Sequence, residues 1–592
     1  MGLNMVATTR VQLPSSAAGS RSSGRYRRAT APRGRNAAAV NAPSSLGRKA
    51  GQAIRVCASL SQTTNDVEIS EAASAQVEQD YQALCTALKT ISNLEGISGI
   101  LGWDELVMMP PGGAVSRASQ KEALAGVIFE KRTDPEIGRL LDRLQYNVDT
   151  MDPADAATVR EAARDYKKAS AIPKSMATKM ARLESDGYQA WVAARQAGDF
   201  SKFAPVLQQW VDLVREKCAI LDSERPAYDV CLDDYEPGMT TKRLDSIFSQ
   251  VRKGLVPLIQ DIRQGVKPEG SFLEGEWDLE KQAELCRQVA VDLGFSLEHG
   301  RLDVSVHPFT GGSHPTDVRM STRFKVNDVT EGLTGTVHET GHALYEQGRN
   351  LAYDGLPVNR AAGMGIHESQ SLLWERMVAL SPAFSSYLTP QLKDAFPEML
   401  KDKTAADLYV AMNTVRERSM IRVESDELTY PLHIILRYEL EKGLLDGTVA
   451  VKDLPELWNE RMSAYLGCTP SSDSEGVLQD VHWSAGAFGY FPTYSLGAIY
   501  ACQIFKEAER ELPDLRKEIE AGNFSSLKAW LNKNVHQVGS LYATGDELMR
   551  AVTGTALDPQ IYINYLSSKY SSIYKLHTVE ESPSGETVFH FS

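Results

Sequence analysis

The apolar residues of this chain recur with a helical period over two long stretches, from about residue 70 to 295 and from about 330 to 575. One face of a helix is marked by residues three and four apart: Leu207, Trp210, Val214, Cys218 and Leu221. Breaks are expected at 110–113, at Pro153 and at 265–275, where Pro and Gly occur. No run of about 18 uncharged apolar residues occurs, so we expect no membrane partner. The pattern predicts a mostly α-helical protein.

The middle of the chain changes to a period of two, which is typical of β-strands. Apolar and polar residues alternate over 302–307 and again over 317–324. We expect two short strands, each with an apolar face for the core, joined by a loop that contains Gly311, Gly312 and Pro315. The polar face of the second strand carries Asp317, Arg319, Ser321 and Arg323, and it either faces solvent or serves a site.

Charge is distributed very unevenly along the 592 residues, whose net charge is -14. Residues 1–65 contain nine Arg, one Lys and no acidic residue, whereas the rest contains 53 basic and 77 acidic residues. The body is therefore strongly anionic and would repel phosphate backbones, which excludes general nucleic-acid binding as its function.

The basic leader is rich in Arg, Ser, Ala and Gly, and it ends near Val56-Cys57-Ala58. This composition resembles an organelle transit peptide, so residues 1–57 are predicted to be removed after import; a basic tail that stays attached is the alternative. The Ser content favours the chloroplast stroma over the mitochondrion. We expect 58–79 to be a linker and 577–592 to be a polar C-terminal tail.

Six cysteines follow the leader, and they show neither a C-x-x-C pair nor a metal-ligand spacing. We expect buried thiols and no cysteine-based zinc or redox chemistry.

The segment His338-Glu339-Thr340-Gly341-His342 carries the strongest chemical signal. Residues four apart lie on one face of a helix, so the two imidazoles can bind one Zn²⁺. Glu339 lies beside that face and can act as general base. Gly341 is costly inside an exposed helix, which suggests the close approach of a neighbouring element.

A catalytic zinc needs a third protein ligand and an open position. Glu368 follows His342 by 26 residues on a second amphipathic helix, and it lies off the apolar face of that helix. His367 is the competing ligand, and spacing alone leaves both open.

An ordered series of motifs resembles the thermostable carboxypeptidases, the carboxypeptidase Taq or M32 family of peptidases. The resemblance covers roughly residues 80–576, and its motifs are, in chain order, Leu101-Gly-Trp-Asp104, Met109-Pro-Pro-Gly-Gly113, His307-Pro-Phe309, Asp317-Val-Arg-Met-Ser321, the HExxH, the His-Glu-Ser-Gln-Ser that starts at His367, Ile421-Arg-Val-Glu-Ser-Asp426, Gly476-Val-Leu-Gln-Asp-Val-His-Trp483 and Gly489-Tyr-Phe-Pro-Thr-Tyr494. Ser321 and Ser425 depart from the family's Thr and Ala.

The resemblance implies a large helical metallopeptidase body with a deep groove, a very small β-sheet beside the HExxH helix, and a homodimer. It implies a zinc-dependent carboxypeptidase that shortens peptides with a free C-terminus, with one Zn²⁺ per chain and Co²⁺ as a possible substitute. A zinc oligoendopeptidase and a non-catalytic zinc-stabilised helical scaffold are the alternative functions. The scaffold would need a fourth protein ligand that closes the site.

Residue roles also follow from the resemblance. It makes Glu368 the third ligand and Arg422 the cation that binds the terminal carboxylate, with Arg319 and Arg323 of the polar strand face as alternatives. Spacing alone would instead pair Arg422 with Asp426. Tyr494 and His307 are the candidates to stabilise the oxyanion. His482 and Asp480 fit a supporting role as well as a catalytic one.

Overall fold

The computed structural model describes residues 60–417 and 419–576, with side chains described from Ser74 onward. The predicted transit peptide, residues 1–57, and the predicted tail, 577–592, lie outside the described residues. Within them, no helix is both long and apolar enough to cross a membrane. The residues from Asp80 to Leu576 belong to one compact unit, and those from Leu60 to Gln79 belong to a second. The chain predicted as a linker is helical from Leu60.

Helices make up most of the described chain, as the apolar period predicts. The α-helices are α1 Leu60–Val107, α2 Ala114–Arg132, α3 Pro135–Gln145, α4 Pro153–Ala171, α5 Lys174–Ala197, α6 Ala204–Leu221, α7 Ala227–Leu232, α8 Thr241–Gln264, α9 Leu279–Asp292, α10 Val329–Gln347, α11 Met364–Leu372, α12 Pro382–Ala395, α13 Ala405–Met412, α14 Tyr430–Asp446, α15 Leu454–Leu466, α16 Pro492–Glu511, α17 Leu515–Glu520, α18 Ser525–Leu531, α19 Gly545–Thr553 and α20 Pro559–Ile573. Two π-helical segments, Leu373–Ala379 and Asn532–His536, extend α11 and α18.

The predicted breaks coincide with helix boundaries. Helix α1 ends at Val107 before the Pro-Pro-Gly-Gly segment, and α8 ends at Gln264 before the stretch 265–275. Pro153 is the first residue of α4, where its missing N–H costs no hydrogen bond. The side chain of Asp152 caps that helix by accepting from the backbone N–H of Ala154.

The sheet has three strands rather than the expected two: β1 Gly300–Val304, β2 Thr310–His314 and β3 Asp317–Thr322. Their order is β1-β3-β2, with β1 parallel and β2 antiparallel to β3. The expectation of a loop at Gly311 and Gly312 was wrong, because both residues pair with β3. Gly312 adopts φ +135°, a conformation that side chains rarely allow, so glycine permits the strand there.

The residues of the sheet that are buried are not all those that the alternating pattern predicts. Val318 and Met320 of β3 are buried against α10, as predicted, but Val304 at the end of β1 is 60% exposed. Ser321, on the polar face, is fully buried, and its hydroxyl is hydrogen-bonded to that of Ser305 at 2.7 Å. The sheet therefore serves mainly as a support for α10, the helix that carries the HExxH segment.

Candidate metal centre

Helix α10 places both histidines of the HExxH segment on one face. Its N-terminus is capped by Asp328, whose carboxylate accepts from the backbone N–H of Thr330 and Glu331. The ring centroids of His338 and His342 lie 5.1 Å apart, with the rings nearly perpendicular at 83°. One helical turn therefore directs two imidazoles to a common point.

Gly341 lets α11 reach that helix. A Cβ atom at this position would lie 2.5 Å from the carbonyl oxygen of Gln370 and 2.6 Å from the Cα of Ser371. Such distances are far inside van der Waals contact, so only glycine permits the approach. This confirms the expectation of a close neighbour at Gly341.

The approach of α11 brings Glu368 to the histidines. Its Oε2 lies 3.3 Å from Nε2 of His342, and the ligand atoms of His338, His342 and Glu368 all lie within 4.8 Å of one another. Gly497 of α16 makes room on the other side, because a Cβ there would lie 2.7 Å from Cγ of Glu368. Two glycines thus position the carboxylate from opposite sides.

This group of three fits a single divalent metal ion. Two imidazole nitrogens and one carboxylate oxygen are the ligand types that zinc binds at catalytic sites. Burial alone would raise the pKa of Glu368, but the hydrogen bond to His342 and the positive charge of His338 outweigh it and lower that pKa. The carboxylate is thus ionised, as a metal ligand must be. Among the described residues the group has three members, and no further His, Cys, Asp or Glu joins it.

Glu375 supports the first histidine. Its Oε2 lies 2.7 Å from Nδ1 of His338, which leaves Nε2 for the metal. Burial opposes a charged imidazole, but the hydrogen bond to Glu375 prevails and raises the pKa of His338 to about 9. A carboxylate in this position fixes the ring and strengthens it as a ligand. Sequence analysis missed Glu375, although its position seven residues after Glu368, two turns along one helix, was an available signal.

His367, the competing ligand, instead points to Glu346. Its Nε2 lies 2.9 Å from Oε1 of Glu346, while its ring stacks on that of His342 at a centroid distance of 4.7 Å. Arg349 donates to the same glutamate at 2.8 Å. His367 therefore packs behind the second histidine.

The predicted base, Glu339, is buried beside the ligands. Its Oε2 accepts a hydrogen bond from the hydroxyl of Thr310 at 2.6 Å. Thr310 also donates to the backbone carbonyl of Glu339 at 3.0 Å. Strand β2, which was predicted to be a loop, therefore orients the carboxylate of Glu339.

Arg422 lies in a short 3-10 turn, Arg422–Glu424, and is buried. Its Nε donates to Oδ1 of Asp480 at 2.8 Å, and the guanidinium lies over the ring of Tyr494 at 5.0 Å. Burial alone would raise the pKa of Asp480, but the positive charges of Arg437 and Arg422 outweigh that effect and hold the pKa well below its ordinary range. The i,i+4 pairing with Asp426 is absent from the described contacts, because that carboxylate accepts from backbone N–H groups instead.

Tyr494 lies beside the arginine, under its guanidinium. Burial raises its pKa to about 12, Arg422 opposes this rise, and the negative charge of Glu368 adds to it. Its hydroxyl lies 3.3 Å from Nε2 of His482. Burial, followed by the charge of Arg422, lowers the pKa of His482 to about 3, so that ring is neutral at physiological pH.

The remaining predicted residues lie on or beside the sheet. His307 is exposed in the loop between β1 and β2, where desolvation and the nearby charges of Arg323 and Arg195 lower its pKa. Arg319 forms a two-bond ion pair with Asp317 of its own strand, at 2.8 Å for both bonds. Arg323 pairs with Glu331 of α10. Among the described contacts, neither arginine is joined to the three ligands.

Comparisons with known proteins agree with this geometry. The family described as carboxypeptidase Taq (M32) metallopeptidase matches residues 83–570. The chain is 38% identical over 490 residues to carboxypeptidase 1 of Bacillus subtilis, covering 83% of this chain and 97% of that protein. It is also 38% identical over 509 residues to thermostable carboxypeptidase 1 of Thermus thermophilus, covering 84% and 99%.

A solved structure of an M32 carboxypeptidase from Deinococcus radiodurans superposes with a TM-score of 0.81 at 36% identity, covering 84% of this chain and 100% of that one. The similarity thus extends through the fold and beyond the metal-binding motif. Both the mostly helical fold class and the peptidase class predicted from the sequence are confirmed. The chain belongs to the carboxypeptidase Taq (M32) family of metallopeptidases.

Proposed function

We propose that this chain is a zinc-dependent carboxypeptidase that removes residues from the free C-terminus of peptides. The observation that carries the proposal is the convergence of His338, His342 and Glu368 within 4.8 Å. Two imidazole nitrogens and one carboxylate oxygen favour Zn²⁺, and Co²⁺ is the closest substitute. When bound, the ion supplies Lewis-acid chemistry: it polarises a carbonyl and makes a water molecule acidic.

Glu339 moves the proton in this reaction. Its carboxylate takes a proton from the attacking water and delivers it to the nitrogen of the leaving residue. The hydroxyl of Thr310, 2.6 Å away, holds one carboxylate oxygen in place and leaves the other to face the water. Glu375 keeps the His338 ring oriented throughout, because it accepts from Nδ1 in both states.

Specificity for the C-terminal end requires a fixed cation at a set distance from the scissile bond. Arg422 suits this role because only its Nε is used by Asp480 among the described hydrogen bonds. Its two terminal nitrogens can therefore donate to both oxygens of a peptide carboxylate. Tyr494 is the better candidate for an oxyanion donor, because its half-buried ring lies 5.0 Å from the guanidinium of Arg422, whereas His307 is exposed.

Digestion of a free-ended peptide and of its C-terminally amidated twin, each with and without chelator, tests the proposal. We expect stepwise C-terminal shortening, read by mass spectrometry, only in the free-ended and metal-replete sample. Internal cleavage of both peptides would indicate an oligoendopeptidase instead. Cleavage that persists after chelation would contradict the metal mechanism, and elemental analysis of the purified protein identifies the ion.

We also propose that the chain is imported into the chloroplast stroma and acts there as a homodimer on peptide substrates. The support is the acid-free, Arg- and Ser-rich composition of residues 1–57. A fluorescent protein fused behind these residues should accumulate in chloroplasts; mitochondrial fluorescence would favour the alternative. Light scattering of the purified protein should give twice the mass of one chain.

A further inference from the structure

Two cysteines that are 13 residues apart in the chain come into direct contact. Cys218 lies near the end of α6, Cys231 lies in α7, and their Sγ atoms are 3.4 Å apart. Both are buried, at 2% and 4% exposed. Among the described residues, the cysteines form no disulfide. A disulfide needs about 2.05 Å between the sulfurs, so its formation requires the side chains to rotate or the short helix α7 to shift.

The two thiols differ in reactivity. The hydrogen bond from Cys231 lowers the pKa of Cys218 against the effect of burial, and the ammonium group of Lys217 lowers it further. Lys217 is itself held by Asp234 at 3.0 Å. The hydrogen bond with Cys218 and burial raise the pKa of Cys231. Cys218 is therefore the nucleophile of the pair and Cys231 the thiol that resolves the reaction.

The segment after Cys231 holds the helix that provides Glu368. The carbonyl of Tyr235 accepts from the backbone N–H of Met364 at 2.7 Å, and the Glu236 carboxylate accepts from that of Gly365. These two hydrogen bonds satisfy the first two backbone N–H groups of α11. A displacement of α7 is thus transmitted to the start of the helix that carries the third ligand.

The same segment also contacts Tyr490, which packs against Tyr494 beside Arg422. The rings of Tyr235 and Tyr490 meet edge to face at 5.0 Å, and Tyr490 lies 5.2 Å from Tyr494. A Cβ at Gly489 would lie 2.8 Å from the carbonyl carbon of Cys231, so the two backbones are in contact. A bond between Cys218 and Cys231 would therefore act on a segment that touches Gly489 directly and, through Tyr235, the start of α11.

We propose that Cys218 and Cys231 are a modification site at which a peroxide oxidises the two thiols to an intrachain disulfide, and that this disulfide weakens metal binding at His338, His342 and Glu368. The disulfide stands on the sulfur contact alone. Its effect on the metal rests on the proposed function.

The chemistry balances with hydrogen peroxide as oxidant. The Cys218 thiolate attacks one peroxide oxygen, the O–O bond breaks, and hydroxide leaves; sulfur is oxidised to a sulfenic acid and the peroxide is reduced. The sulfur of Cys231 then attacks that of Cys218, the S–O bond breaks, and the leaving hydroxide takes the Cys231 proton. Two thiols and one peroxide give one disulfide and two waters, and a dithiol reverses the change.

Peptide mass spectrometry of the full, reduced protein tests the modification directly. Trypsin cuts after Lys217 and Lys242 but not between Arg225 and Pro226, so one peptide contains both cysteines. After peroxide treatment, denaturation and alkylation, we expect this peptide to be two hydrogens lighter and to carry no alkyl group. A peptide with two alkyl groups, or with Cys218 oxidised further but not joined to Cys231, would overturn the proposal.

A zinc competition assay with a chromogenic chelator tests the consequence. Oxidised protein is expected to bind zinc about tenfold more weakly than reduced protein, at the low end of the 10–100-fold range for groups that support a ligand. C218S should show no such loss, whereas C286S, which removes a buried cysteine elsewhere, should respond as the natural chain does. Unchanged affinity in a protein shown to be cross-linked would overturn the regulatory part. Failure of the reduced protein to bind zinc would refute the proposed function and leave the disulfide result intact.

Discussion

The candidate metal ligands and the arginine site are built in opposite ways. His338, His342 and Glu368 project from two regular helices, and Glu375, which holds His338, lies two turns after Glu368 on the π-helical extension of α11. Arg422 lies in a 3-10 turn, and its partner Asp480 follows 58 residues later in irregular chain. The ligand site depends on how closely two helices approach. The arginine site depends on the balance of buried charges among Arg422, Asp480 and Arg437.

This difference has consequences for how each site fails. In the ligand site, a changed side chain alters one bond to the metal while the helices stay in place. In the arginine site, Asp480 is shared by Arg422 and Arg437, so a change to one member leaves the others with a buried charge that is no longer balanced. We expect substitutions at the ligand site to change mainly catalysis, and substitutions in the arginine site to change catalysis and stability together.

The largest effect is expected for Glu339→Gln. Loss of the general base should lower kcat by roughly 10²–10⁴-fold, because the amide cannot accept the proton, while zinc content stays at one per chain. Steady-state kinetics with a free-ended peptide and elemental analysis measure the two quantities. Glu331→Gln, on the same helix but outside the ligand group, is the matched control and should retain activity. An active Glu339→Gln protein would show that Glu339 is not the general base.

Replacement of Arg422 by Lys should lower kcat/KM by roughly 10–100-fold, since hydrogen bonds to a charged group contribute about 1.5–3 kcal/mol and Lys cannot bind both carboxylate oxygens. The charge next to Asp480 is kept, which limits the effect on folding. Arg319→Lys tests the alternative cation by the same assay and should leave kcat/KM nearly unchanged. If Arg319→Lys lowers kcat/KM and Arg422→Lys does not, the polar face of strand β3 binds the substrate carboxylate instead.

Glu375→Gln should weaken zinc binding by about 10–100-fold, because the His338 ring loses its charged acceptor but keeps a neutral one. Competition with a chelator gives the affinity, and added zinc should restore most of the activity. A variant that stays inactive at saturating zinc would show that Glu375 acts in the chemical step instead.

Gly341→Ala tests the helix approach. The added methyl group would meet the backbone of Gln370 and Ser371, so we expect a loss of about 1–3 kcal/mol of stability from overpacking. Gly335→Ala is the matched control on the same helix, where the nearest atom to a new Cβ is 3.8 Å away. It should be neutral or stabilising by up to about 1 kcal/mol. Equal thermal stability of the two variants would contradict the role assigned to Gly341.

The smallest effect concerns pH. Burial raises the pKa of Glu236 to about 8 in the folded chain. Between its ordinary pKa and this raised pKa, the carboxyl is protonated in the folded chain and ionised in the unfolded chain. The stability from this group is complete in acid and is lost as pH rises through about 8. Glu236→Gln should remove that decline, which amounts to a few degrees of melting temperature between pH 5 and 8. If the melting temperature falls equally with pH in both proteins, Glu236 does not cause the decline.

Sequence reasoning succeeded where local period determines structure. Helical spacing predicted the alignment of His338 with His342, and the cost of a glycine predicted the approach at Gly341. Strand β2 was missed because Gly311 and Gly312 read as a turn, although pairing with β3 outweighs their low strand propensity. Tertiary pairing overrides local preference at that position.

Contacts between distant segments were the part that sequence could not supply. Arg422 was assigned its role through resemblance, but its pairing with Asp480 depends on two irregular segments meeting. The contact of Cys218 with Cys231 likewise follows from the packing of α6 on α7, and a spacing of 13 residues carries no signal for it. The fold class and the facing pair of His338 and His342 were therefore predictable, whereas spacing left Glu368 and His367 both open and most supporting partners carried no signal.

A crystal structure of the zinc-loaded protein, with anomalous data collected on both sides of the zinc absorption edge, tests the central claim most directly. We predict one anomalous peak per chain, about 2.0–2.2 Å from a nitrogen of His338, a nitrogen of His342 and an oxygen of Glu368, with no fourth protein ligand. A peak bound by His367 in place of Glu368, or a fourth side chain in the coordination sphere, would contradict the account.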